Sequence, residues 1–184
     1  MIFYCGSKTP GMEKIEPESG AKLTESKMIA AFCIADPLEE PWHWFPCDFG
    51  SDGTVQYNEL YPNAFKECTA GKSGFIYTVE AEEEEVVPSG EIVNVCHPKK
   101  PLEITGCIEI ADLYDWLMEE EDMGRFRLCL FEQKTRQELL LWQNSILRYL
   151  AKYKMIDDQE CAYAKFVMEK LPSAWEKYRK LCGK

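Results

Sequence analysis

The residues best suited to chemistry stand at the start of the chain. Met1-Ile2-Phe3-Tyr4-Cys5-Gly6-Ser7 is apolar and aromatic, then stops abruptly. That pattern reads as a buried strand ending where another group must come close to the backbone, because Gly6 has no Cβ to block the approach. Cys5 would act as a nucleophile only with a lowered thiol pKa and a base in reach. His43 and His97 are the candidate bases. With nine cysteines in the chain, most must serve structure.

A metal site is the next chemistry to weigh, from His43, Cys47, Cys96 and His97. His43 and Cys47 have the spacing of one helix face, but Pro46 argues against a helix there. Cys96 and His97 are adjacent, and on a strand they would point to opposite faces. No zinc or other metal site is expected from this set. The stretch from Pro41 to Gly53 carries Trp42, Trp44, Phe45 and Phe49 among prolines and glycines. Those rings either pack across the strand layer or mark a pocket lid or a protein contact.

The elements that position these residues follow from composition and period. The chain has 184 residues, with 46% hydrophobic, and so can bury a sizeable core. Its net charge of -11 repels phosphate backbones, and its basic residues form no aromatic-interleaved cluster, so nucleic acid is not an expected partner. No apolar run reaches the ~20 residues of a membrane helix, so no membrane partner is expected. The cysteines are scattered, with no C-x-x-C pair, and Met1 opens directly into a strand with no basic leader before it. A soluble cytoplasmic protein with reduced thiols is the expectation.

Along the chain, a strand is predicted from about Lys27 to Ala35, ended by Asp36-Pro37. A short helix would follow around Leu38 to Glu40. A strand over Thr54 to Tyr57 follows the turn signal Asp52-Gly53. Asn58 to Lys66 reads as a loop with one helical turn. Gly71-Lys72-Ser73-Gly74 is a tight turn and not a phosphate-binding loop, since the upstream glycine is missing. Phe75 to Ala81 alternates as a strand, with Phe75, Tyr77 and Val79 on one face and Ile76 and Thr78 on the other. Glu82 to Glu85 reads as a solvated turn or strand edge. Glu91 to Cys96 and Leu102 to Ile108 are further strands, with a turn at His97 to Pro101.

From Glu109 the period becomes helical. Ile110, Leu113 and Leu117 share a face of a helix running to about Glu121 and closed by Gly124. Arg125 to Leu130 reads equally as strand or helix. Lys134 to Tyr153 carries a stripe of Leu139, Trp142, Ile146, Tyr149, Leu150 and Tyr153. Asp157 with Glu160 predicts a capped helix to Leu171, and Ser173 with Glu176 a last one carrying Trp175, Tyr178 and Leu181. These elements imply an α+β fold: a small, mostly antiparallel split sheet with C-terminal helices packed on it. Residues 1–108 form the strand-rich part and 109–184 the helical part of one compact domain.

The order of the N-terminal motifs resembles a little-characterised group of bacterial proteins with an ADP-ribosyltransferase-like fold. The residues that carry the resemblance are Tyr4-Cys5-Gly6-Ser7, Ile34-Ala35-Asp36-Pro37, Tyr61-Pro62-Asn63-Ala64-Phe65 and Gly71-Lys72-Ser73-Gly74-Phe75-Ile76-Tyr77. It covers roughly Met1 to Pro101. The resemblance implies NAD as substrate, with Tyr4, Cys5, Gly6 and Ser7 in the binding wall. Gly6 would offer its backbone N–H and C=O to a carboxamide, and Glu91 would be the carboxylate that stabilises an oxocarbenium-like transition state. Cys5 stands where such proteins carry a His or Arg, and it brings no positive charge. Two readings therefore stand side by side. One is a transferase-like domain binding NAD or a nucleotide-like small molecule. The other is a non-catalytic domain of the same fold whose partner is a protein.

Overall fold

The structure is a computed structural model that describes residues 1–35, 48–49, 55–59, 61–89 and 94–183. The chain is α+β. Strands β1 (Ile2–Ser7) and β2 (Lys14–Ile15) precede helix α1 (Lys27–Ala35), which is followed by β3 (Asp48–Phe49), β4 (Val55–Asn58) and α2 (Ala64–Thr69). Then come β5 (Gly74–Glu80), β6 (Val86–Pro88), β7 (Cys96–Pro98) and β8 (Leu102–Ile110). The remainder is α3 (Leu113–Asp122), β9 (Phe126–Cys129), α4 (Arg136–Lys152), α5 (Ala162–Lys170) and α6 (Pro172–Leu181).

The main sheet is antiparallel, in the order β1-β5-β8-β2. Extended residues Leu23 and Thr24 join it to the β6–β7 hairpin: Thr24 bridges Tyr4 of β1, and Leu23 bridges Cys96 of β7. The sheet curls around an inner face made by Phe3, Cys5, Leu23, Tyr77, Val79 and Leu102. Tyr77 and Val79 lie together there while Ile76 faces the other way, as the alternation of β5 predicts.

The other face is covered by α1, and two glycines decide how closely it sits. A Cβ built on Gly6 would lie 1.8 Å from the Ala30 carbonyl oxygen. One built on Gly74 would lie 2.7 Å from Ile34 Cγ2 and 2.8 Å from the Ser7 oxygen. The small residues Ala30, Ala31 and Ala35 complete the contact and are fully buried. Ser26 begins the helix, its carbonyl accepting from Ala30 N–H at 3.1 Å, and Lys72 Nζ donates to the last carbonyl, Ala35 O, at 2.7 Å. The turn Gly71-Lys72-Ser73-Gly74 therefore caps and seats α1. Beyond α1, Phe32 stacks on Tyr57 at 5.4 Å and Phe65 on Phe126 at 5.5 Å, joining the helix to β4, α2 and β9.

A second sheet, β3-β4-β9, pairs β4 with β9 in parallel. Helices α4, α5 and α6 gather a core of their own around Ile146, Leu150, Tyr163, Val167, Trp175 and Tyr178, joined by Tyr61 and Ala64. The strand-rich and helical stretches thus interleave: β9 pairs with β4, and Tyr61 enters the helical core.

Several expectations are corrected. Lys27 to Ala35 is a helix, not a strand, because it is buried nearly all round: seven of its nine residues are buried, so no polar face marks its period. Ile34-Ala35, expected to end a second strand, closes this helix. His97 lies in β7 rather than in a turn, since Val87 opposite supplies a partner. β8 runs on to Ile110, and α3 starts only after Asp112, whose side chain accepts from Tyr114 N–H at 2.8 Å and Asp115 N–H at 3.2 Å. Helix α5 is capped by Cys161, not Asp157, with Sγ accepting from Ala164 N–H. Helix α6 is not capped by Ser173: it follows Leu171 and starts at Pro172, whose missing N–H costs nothing in the first turn, and Leu181 is exposed. The undecided segment after Gly124 is strand β9. The helix expected at Leu38 to Glu40 and most of the aromatic loop from Pro41 lie outside the described residues.

Candidate functional site

Four of the predicted site residues lie along β1, and alternation splits them. Tyr4 and Gly6 face α1, whereas Cys5 turns into the inner core of the curled sheet. Cys5 is 2% exposed. Burial, with Cys33 close by, pushes its thiol up to about 12, so it stays protonated at neutral pH. That removes Cys5 as a ready nucleophile. His97 holds the Ala21 carbonyl through Nδ1 at 2.9 Å, and His43 lies outside the described residues.

Gly6 does admit a close neighbour, and that neighbour is the α1 backbone. Its own backbone sits in the β1–β5 ladder opposite Ile76. Ser7 ends the strand, its Oγ accepting from Thr9 N–H at 3.1 Å. Glu91 lies outside the described residues, as does Cys47 of the metal set. The eight described cysteines are free thiols.

Open space lies two residues before Gly6, beside Tyr4. A cleft of about 1390 Å³ runs along β1. Its walls include Tyr4, Thr24, Lys27, Val95, Trp116 and Arg125. Each is positioned by a different part of the fold. Thr24 is held by paired backbone bonds to Tyr4 of 2.7 and 3.0 Å, and its Oγ1 accepts from Ser26 N–H at 3.2 Å, which launches α1 at the cleft rim. Lys27, the first residue of α1, places Nζ 5.3 Å from the Tyr4 ring centroid. Gly124, with φ +72°, turns the chain after α3 and brings Arg125 back beside Glu120. The nearly buried Glu120 carboxylate accepts from Arg125 Nε at 2.5 Å and Nη2 at 2.7 Å. Such a bidentate grip fixes the plane of the guanidinium.

The arrangement offers the aromatic rings of Tyr4 and Trp116 to a planar group, and its charged lining is mixed, with Lys27, Lys99 and the Glu120-paired Arg125 beside Glu25 and Glu83. Pro88 and Asn94 also line the cleft. Sequence reasoning found Tyr4 but not Thr24, Lys27 or Arg125. Reading α1 as a strand hid Lys27, and only the turn at Gly124 hinted that Arg125 returns to α3.

No protein-family model matches the chain, nor does any curated protein or any solved structure. Among the described residues no helix is long and apolar enough to cross a membrane.

Proposed function

We propose that this chain is an ADP-ribosyltransferase-like protein that binds NAD, or a related nucleotide-like ligand, in the cleft beside Tyr4. The observation that carries the reading is the cleft itself. At about 1390 Å³ it exceeds the roughly 300–1,000 Å³ of most small-ligand sites, and so has room for a dinucleotide. Its aromatic walls suit the flat rings of such a ligand, and Lys27 offers an amine to its phosphates. The binding wall shifts from Gly6, which α1 covers, to Tyr4, Thr24 and Lys27. In this reading Glu91 accepts a ribose hydroxyl and stabilises positive charge as the nicotinamide–ribose bond breaks. ADP-ribose then passes to an acceptor.

One observation favours the second reading, a non-catalytic interaction domain. The residue in place of the expected first-strand His or Arg is Cys5, and its side chain is buried away from the cleft. Calorimetric titration with NAD, with nicotinamide release followed in parallel, separates the two. Binding with release that Glu91→Gln abolishes supports the transferase. Binding without release points to a sensor or a degenerate enzyme, and no heat at millimolar NAD removes the ligand from the account and leaves the interaction domain.

A further inference from the structure

A second group of reactive side chains lies away from the cleft, where the parallel pair β4–β9 ends at Asn58 and Cys129. The Cys129 carbonyl accepts two hydrogen bonds there: from Glu59 N–H at 2.9 Å and from Lys134 Nζ at 2.8 Å. The second bond holds the amine over the cysteine, with Nζ 3.9 Å from Sγ. The 3₁₀ turn Phe131–Gln133 supplies the return path from Cys129 to Lys134, so strand end and turn together fix the pair. Glu59 and Lys134 are both buried, at 2% and 9% exposure, while Cys129 is half-buried and open to a small oxidant.

The surroundings bear on the charge of the amine. Burial pulls the Lys134 ammonium below its ordinary value, against the opposing effects of Cys129, Glu59 and Glu138. Burial likewise raises the Glu59 carboxyl, against hydrogen bonds from Phe131 and Phe65. Burial thus favours the uncharged form of each group, so the Lys134 amine gives up its proton more readily than an exposed lysine does. Cys5 and Cys33 are pushed up by burial, as is Cys107, with Glu109 adding to the shift. The Cys129 sulfur instead has an amine held 3.9 Å away.

We propose that Cys129 and Lys134 form an oxidation-triggered sulfur–nitrogen cross-link, a sulfenamide, with a peroxide as the oxidant. In the first step the Cys129 sulfur attacks the peroxide. The O–O bond breaks, sulfur loses two electrons to become the sulfenic acid, and the peroxide leaves as water or an alcohol. In the second, the Nζ lone pair attacks sulfur, the S–O bond breaks, and the departing hydroxide leaves as water with a proton from nitrogen. The product is two hydrogens lighter than the reduced protein. A thiol reverses it by attacking sulfur and releasing the amine, and a second thiol resolves the resulting disulfide. Bridging also removes the cation beside Glu59, so oxidation alters the join between the sheet and the turn leading to α4.

The test is peptide mapping by mass spectrometry of the intact chain after hydrogen peroxide treatment. The expected result is a Cys129–Lys134 linked peptide lacking two hydrogens, restored by dithiothreitol and absent from Cys129→Ser. Lys134→Arg should instead accumulate sulfenic acid trapped by dimedone. Wild-type mapping stands by itself if a variant fails to fold. A Cys129 that remains a free thiol, goes to sulfinic acid unbridged, joins another cysteine, or retains an oxygen in the bridge would overturn the proposal.

Discussion

Replacing Gly6 by alanine tests whether that glycine exists to seat α1. The added Cβ would lie 1.8 Å from the Ala30 carbonyl oxygen and 2.8 Å from its carbon. Neither is the end of a flexible side chain. Both belong to helix backbone whose residues are fully buried, and β1 is held in register by β5 on one side and Thr24 on the other. Restoring an ordinary contact requires α1 to rise by roughly 1.6 Å, which parts Ala30, Ile34 and Phe32 from the sheet and aromatic cluster. Overpacking of this kind costs about 1–3 kcal/mol and sometimes more, and the rigidity of both partners puts Gly6→Ala near ~3 kcal/mol. At about 2–4 °C per kcal/mol for a chain of this size, Tm should fall by roughly 6–12 °C. Gly106→Ala is the control. Its Cβ would meet Thr78 at 3.4 Å, an ordinary contact, so stability should stay within ~1 kcal/mol of wild type. Urea denaturation followed by circular dichroism gives both values. If Gly6→Ala lost less than ~0.5 kcal/mol while weakening NAD binding, the glycine would serve a ligand, and the packing argument would be refuted.

Three further outcomes follow from local geometry. Burial pushes the Asp112 carboxyl up, but bonds from Gly71, Asp115 and Tyr114 N–H outweigh it and hold it below its ordinary value. Its stabilising effect is thus complete above the unfolded pKa of about 4 and lost as pH falls through the lower folded value. Asp112→Ala should cost about 1 kcal/mol at neutral pH and flatten the acid limb of the stability profile, and an unchanged acid limb would count against the cap. Lys72→Met removes the donor to Ala35 O and should lower stability by ~1 kcal/mol in a urea titration. Iodoacetamide at neutral pH should alkylate the exposed Cys107 and Cys182 well before Cys5, and early labelling of Cys5 would contradict its burial.

What the sequence discloses depends on whether an element has two unlike faces. β5 is legible because Tyr77 and Val79 turn inward while Ile76 turns to α1, an alternation that survives burial on both sides. Helix α4 is legible because one side remains in water. α1 has no such side: Met28 to Ala35 is nearly continuous apolar residue, packed between sheet and aromatic cluster, and a short apolar run carries no period. The false start of α5 has another cause. Asp157 and Glu160 have capping-box spacing, yet the cap is Cys161, whose sulfur is a weak acceptor that no rule of thumb selects. The site was legible only in part for a related reason. Gly6 announced a close approach, but not which group approaches. Once α1 is recognised as that group, the open space moves to Tyr4, and Lys27 and Arg125, distant in sequence, become its walls.

The most direct test of the account is calorimetric titration of NAD into the wild-type chain and into Lys27→Glu. An acidic residue at the start of α1 is favourable to the helix, so this variant keeps the fold while reversing a charge at the cleft wall. The account predicts saturable binding to the wild type, weakened at least about tenfold by Lys27→Glu, a loss of ~1.4 kcal/mol or more. Absence of wild-type binding at millimolar NAD, or equal binding by the two proteins, would contradict it.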